Sequence, residues 1–198
     1  MTGVDRARIE AAVTELLLAI GEDPGRPGLV KTPRRVAESY DEFFGGLHRD
    51  PVEHLKDAVP LGSSDDGLPQ TGDAVMVRGI EFRSICEHHL LPFVGVVHVA
   101  YQPGERVVGL GKLSDVVETL SARPQLQERL TEEIADALQE GLEARGVLVV
   151  MDAVHRCVVA RGSRQTGSST VTVASRGRLT DPVQRAELMT LIGSSTRG

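Results

Sequence analysis

Residues 125–146, QLQERLTEEIADALQEGLEARG, set Leu126, Leu130, Ile134, Leu138 and Leu142 four apart, with acids on the remaining faces. The spacing predicts an amphipathic helix that stops at Gly146. Directly behind it comes VLVVMDAVHRCVVA, residues 147–160, rich in β-branched side chains and predicted as one long β run. A helix with a single apolar stripe, followed at once by a strand, has to lay that stripe on a sheet. Helix-on-sheet packing is therefore the first constraint on the fold.

The rest of the second half fits it. AVMVRGIEF and VGVVHVAYQP read as strands, the latter closed by Pro103 and Gly104, and ERVVGL is expected to return as its hairpin partner. KLSDVVETL offers Leu113, Val116, Val117 and Leu120 as one helix face, and SSTVTVASRG alternates as a further strand. From residue 94 the order is strand, strand, helix, helix, strand, strand. That order predicts an α+β fold: an antiparallel sheet with its helices on one face. The other face and the edges then need cover, which assembly into a ring would supply. DPVQRAELMTLI closes the chain as a short helix before GSSTRG, which is expected to fray.

The first half is simpler. DRARIEAAVTELLLAI places Ile9, Ala12, Val13, Leu16, Leu17 and Ile20 at helical spacing, and GEDPGRPG breaks it. Thr32 and Pro33 read as N-cap and first residue of a second helix, TPRRVAESYDEFFGGL, ending at Gly45 and Gly46. Residues 47–73 are polar, contain GSSDDG, and read as a connection with little regular structure. The expected division is a helical N-terminal region, 1–73, and a second domain, 74–198.

Composition narrows the function. A net charge of −6 and aromatics at 3% with no Trp argue against a phosphate-backbone binder or a base-stacking platform, so no nucleic-acid partner is expected. Two cysteines cannot build a disulfide framework, and no stretch resembles a signal peptide or a membrane span. A cytoplasmic location without membrane association is expected.

Both cysteines lie in histidine-bearing clusters: Cys86 in SICEHHLLPF and Cys157 in DAVHRCVVAR. A lone buried cysteine usually serves as a small apolar filler, and a lone histidine as a satisfied polar group. Two such clusters holding all the cysteine in the chain point instead to a metal. Cys86 and His89, three apart, can be aimed at one ion by a tight turn. His155 and Cys157, two apart in a β run, would share a face. Thiolate and imidazole suit Zn²⁺, and Cys86, His89 and Cys157 would leave His88 and His155 for proton transfer beside an activated water. A closed structural zinc with His155 as fourth ligand has the same spacing. GLGKL, 109–113, fails as a phosphate loop for want of the upstream Gly and of Ser or Thr after Lys112. Lys112, Arg161 and Arg35 could each meet an anion, but on the residues alone the solvated-charge reading wins for each.

SICEHHLLPFVGVVHVAYQP, VVGLGKL, RPQLQERLTEEIADAL and DAVHRCVVARG, in this order, resemble the GTP cyclohydrolase I family, as do EDPGRPGLVKTPRRVAESYDEFFGGL and VMVRGIEFRS nearer the N-terminus. The likeness runs from about 22 to 192. It implies the tunnelling fold, with five-membered rings stacked into a homodecamer. It implies zinc on Cys86, His89 and Cys157, catalysis by His88 and His155, and a purine pocket including Gln127 and Glu128, whose carboxylate grips the guanine edge. Lys112, Arg161 and Arg35 match residues that hold the triphosphate. The implied reaction opens the imidazole ring of GTP at C8 while His155 protonates N7, then releases formate. Ribose rearrangement and ring closure give 7,8-dihydroneopterin triphosphate.

One segment departs from the pattern. The family reads GLSKLxR where this chain reads GLGKLSD, so Gly111 replaces a phosphate-contacting serine and Asp115 an arginine. Two other readings follow. A relative could act on a modified or less phosphorylated purine nucleotide, or stop at a ring-opened product. A catalytically silent, zinc-stabilised ring protein could bind a nucleotide. Intact His88 and His155 favour an enzyme over the last.

Overall fold

The computed structural model describes residues 3–62, 73–162 and 164–193. Most of GSSDDG and of the terminal GSSTRG therefore lies outside the described residues.

The N-terminal pair of helices forms as the periodicity predicts. Helix α1 (Arg6–Ala19) is capped by Asp5, whose carboxylate accepts from the Arg8 N–H at 3.1 Å. Helix α2 (Thr32–Phe44) starts one residue earlier than Thr32-Pro33 implied. The chain is already turning, with Thr32 N–H donating to Leu29 O at 2.8 Å, and Lys31 is the cap. The 47–73 connection carries more structure than its polarity announced: a 3₁₀ turn (Pro51–Leu55), capped by Asp50 and anchored by fully buried Leu55, then strand β1 (Val59–Pro60).

The sheet is built from β2 (Val75–Cys86), β3 (Pro92–Gln102), β6 (Gly146–His155) and β7 (Thr170–Gly177), all antiparallel, as the alternation predicts. A two-residue strand β5 (Pro124–Gln125) pairs parallel with the end of β2, so the sheet order is β5-β2-β3-β6-β7 and the sheet is mixed. A bulge between Val77 and Ile80 bends β2, with Gly79 at φ +71°, a conformation that only glycine adopts without strain. ERVVGL does not return onto β3. Both edges of β3 are already taken by β2 and β6, and β4 (Arg106–Val107) pairs with β1 instead.

Helices α3 (Leu110–Ser121) and α4 (Gln127–Leu142) pack on one face. Leu113, Val116, Leu130, Ile134 and Leu138 meet Val97, Val99, Val147, Val149 and Met151, the alternate residues of β3 and β6. The intervening residues, Ala100, Leu148 and Val150, face the other way. That second face is partly covered by the chain's own end: Leu179, in a 3₁₀ turn (Arg178–Thr180), and Leu188, Met189 and Ile192 of α6 (Pro182–Gly193). Val171 and Val173 of β7 remain 57% and 42% exposed.

Candidate active site

The strands β2, β3 and β6 end together at one rim of the sheet. Residue pairs Ile85–Pro92 and Phe93–His155 are the last of their ladders. Beyond Cys86 the chain reverses in a tight loop closed by two backbone bonds, Cys86 N–H to Leu91 O and Leu90 N–H to Cys86 O, both 2.9 Å. Leu90 takes the left-handed conformation at φ 51° that this reversal demands. A third bond, Glu87 N–H to Gln125 O at 3.1 Å, ties the loop to β5.

The β run predicted for 147–160 ends five residues early. Past His155 no strand remains alongside, because β3 begins at Pro92 and the pairing with β7 ends at Ala153–Thr170. The unpaired backbone turns into a single helical turn, α5 (Arg156–Val159). Cys157 therefore reaches the site from a helical turn and not by strand alternation with His155.

The convergence survives that change. One ligand atom each from Cys86, His89 and Cys157 lies within 4.8 Å of the others, with both cysteines free thiols. Tetrahedral zinc with bonds near 2.0–2.3 Å sets its ligand atoms about 3.5–3.8 Å apart, so a small side-chain adjustment suffices. The chemistry of the donors agrees. Burial, then the adjacent Cys86, pushes the Cys157 thiol above its ordinary value, while Arg161 pulls the other way. A divalent cation reverses that balance, since a coordinated thiol ionises outright. The donor set therefore fits a metal.

His155 stands beside this triad. Its ring stacks on buried Phe93 with centroids 4.7 Å apart and planes 3° apart, and its Nε2 lies 2.8 Å from Gln127 Oε1. Burial holds the imidazole below its ordinary value, with the Glu128 carboxylate acting in the opposite sense. His88 is exposed on the loop, its ring 6.3 Å from that of His89. Glu128 is exposed in the first turn of α4.

The remaining predicted residues are more dispersed. Gln127 is buried and its amide is engaged by the protein. Lys112 Nζ lies 3.8 Å from Asp57 Oδ2 and 3.9 Å from Asp115 Oδ2. Arg35 is exposed on α2, and Arg161 is exposed after α5. Two other arginines of the quoted motifs are engaged within the chain: Arg34 is paired with Glu38, and Arg123 donates to Gly46 O and Arg49 O. Two features escaped sequence reasoning. Arg129 grips Glu87 of the loop with both guanidinium nitrogens, at 2.7 and 3.3 Å, and Phe93 forms the platform under His155. Both sit inside the quoted motifs, but nothing in their spacing marks the pairing.

Comparison with known proteins decides the family. The family model for GTP cyclohydrolase I matches residues 9–193. The chain belongs to the GTP cyclohydrolase I family. It is similar to GTP cyclohydrolase 1 of Leifsonia xyli subsp. xyli, 60% identical over 193 residues that span 98% of each chain. It is also similar to GTP cyclohydrolase 1 of Rhodopirellula baltica, 51% identical over 190 residues, covering 96% of this chain and 80% of that one. Among solved structures it is similar to the archaeosine synthase QueF-Like in the apo form. That match has 16% identity and a TM-score of 0.43, covering 55% of this chain and 97% of the other. No helix of this GTP cyclohydrolase I family member, among the described residues, is long and apolar enough to cross a membrane.

Proposed function

We propose that this chain is a GTP cyclohydrolase I, converting GTP to 7,8-dihydroneopterin triphosphate and formate with zinc held by Cys86, His89 and Cys157. The observation that carries the reading is the meeting of those three donors at a rim where His155 is held by a stacked ring and a hydrogen bond. When bound, zinc supplies Lewis acidity, bringing a water to a pKa near 7.

The chain's own residues do the rest. His155 carries a proton to and from purine N7, which weakens the bond to C8, and His88 serves as the second acid–base group. Glu128, exposed at the head of α4, accepts from the guanine edge, and adenine would leave that carboxylate unpaired. Lys112, Arg161 and Arg35 attract the triphosphate. Residues 74–198 form the catalytic domain in this proposal and 1–73 an N-terminal region. The working form is a cytoplasmic homodecamer of two stacked rings. Its support is apolar surface that the single chain leaves open: Val171 and Val173 on the sheet, and Leu16 and Leu18 of α1 with Ile20 at its C-cap, which are 53–67% exposed.

The test is product identification by mass after incubating the zinc-loaded protein with GTP. Formate together with a pterin triphosphate is expected. Formate without a pterin would point to a reaction that stops at ring opening, and the absence of both products from GTP and from related purine nucleotides would refute the enzyme reading.

A further inference from the structure

Gln127 is 1% exposed, and its side-chain amide is held on both sides by the protein. Thr170 O at 2.8 Å and Met151 O at 3.4 Å are backbone carbonyls that only accept, so the amide nitrogen must be the atom facing them. The same nitrogen donates to Thr172 Oγ1 at 3.1 Å. Chemistry alone thus orients the amide and leaves Oε1 as the atom 2.8 Å from His155 Nε2. An amide oxygen has no hydrogen to give. The hydrogen in that contact belongs to His155.

We propose that Gln127 is a positioning residue that holds His155 in the Nε2–H tautomer, leaving Nδ1 as the ring atom that takes up and returns a proton. The proposal rests on the reading of His155 as the proton carrier. Neighbouring hydroxyls agree in direction. Thr131 Oγ1 donates to Gln127 O at 2.8 Å, so Thr172 Oγ1, 2.6 Å from Thr131 Oγ1, must donate to that hydroxyl and can receive the Gln127 amide. Turning the amide over would set its oxygen against two carbonyls with no hydrogen between them. Phe93 complements this hold: stacking sets the plane of the imidazole, and Gln127 sets its rotation within that plane. With both amide hydrogens engaged, Gln127 has no donor left for a base, which separates it from its neighbour Glu128.

The experiment is solid-state ¹⁵N NMR of the zinc-loaded, full-length protein labelled at histidine, with His155→Gln identifying the resonances. The wild type is expected to show protonated Nε2 and bare Nδ1, and Gln127→Met a mixture of tautomers. In Gln127→Met, kcat with GTP is expected to fall about 10²-fold while KM moves less than about threefold. An Nδ1–H tautomer in the wild type, an unaltered tautomer in Gln127→Met, or a raised KM at constant kcat would each overturn the proposal. Should that variant not fold, the wild-type signal still decides. The tautomer is read without substrate, so a wild type that releases no formate from GTP would count against the functional reading alone.

Discussion

The rim that gathers Cys86, His89, Cys157 and His155 and the basic residues Lys112, Arg161 and Arg35 are built to different tolerances. Every member of the first group sits at the end of a paired strand or in a turn closed by backbone hydrogen bonds. The second group lies on helix surfaces and after α5, and Lys112 keeps two carboxylates within 4 Å. Coordination and proton transfer fail when atoms move by an ångström, whereas attraction between a cation and a polyanion decays only as the inverse of distance. A strand end supplies the precision that the first task needs, and a long flexible side chain suffices for the second. The same contrast predicts that substitutions will act differently in the two regions.

The largest effect is expected at the rim. Cys157→Ala removes one of three donors, and the two that remain cannot hold zinc against a chelator. Formate release from GTP should drop by about 10³-fold or more, the equivalent of losing several kcal/mol of Lewis-acid stabilisation. Thermal unfolding of the metal-stripped form should change little, because Cys157 is half-buried on a short turn. Metal content after dialysis, measured beside turnover, checks this. A variant that keeps one tightly bound zinc and full rate would erase the distinction between the regions.

A smaller effect is expected from Arg129→Ala, which tests whether the loop's precision is intrinsic or braced. Arg129 and Glu87 are 49% and 31% exposed, so as a surface ion pair they add at most about 1 kcal/mol to stability. Their bidentate contact nevertheless joins α4 to the loop that carries His89. Outer contacts of this kind typically change metal affinity by about 10–100-fold, and a loss near tenfold is expected here. Competition with a chromophoric chelator gives the number. Unchanged affinity would show that the backbone bonds closing residues 86–91 are enough.

What could be read in advance follows the range of the interactions. The leucine spacing of α4 and the alternation of β3 and β6 are local, and Leu130, Ile134, Leu138, Val147 and Val149 are buried as their patterns require. Where a β run stops depends on its neighbours. Nothing in VLVVMDAVHRCVVA says that β3 and β7 give out near His155, so a helical turn was missed. ERVVGL misled for the same reason: its apparent partner had no free edge. Gln127 is the sharpest case. Its motif placed it in the purine pocket, while its amide partners, Thr170 and Thr172, stand more than forty residues away with no local sign of the link.

The smallest effect should come from Asp115→Arg, and its dependence on salt is the informative part. Lys112 lies within 4 Å of Asp57 and Asp115, carboxylates 82% and 50% exposed, so water already screens much of their field. Exchanging −1 for +1 changes the potential by two unit charges. At ~8 Å in water this is about 1 kcal/mol per unit of ligand charge, cut to a fraction by physiological salt. A fall of several-fold in KM for GTP is therefore expected at 0.15 M salt. The fall should be larger at low salt, with kcat unmoved. GMP, with fewer charges, should gain less as a competitor. A KM that ignores both the substitution and the salt would mean that no anion approaches Lys112, and the triphosphate would then have to be sought elsewhere on the surface. A change in kcat would break the comparison from the other side, because it would show the phosphate region steering the chemistry at the rim.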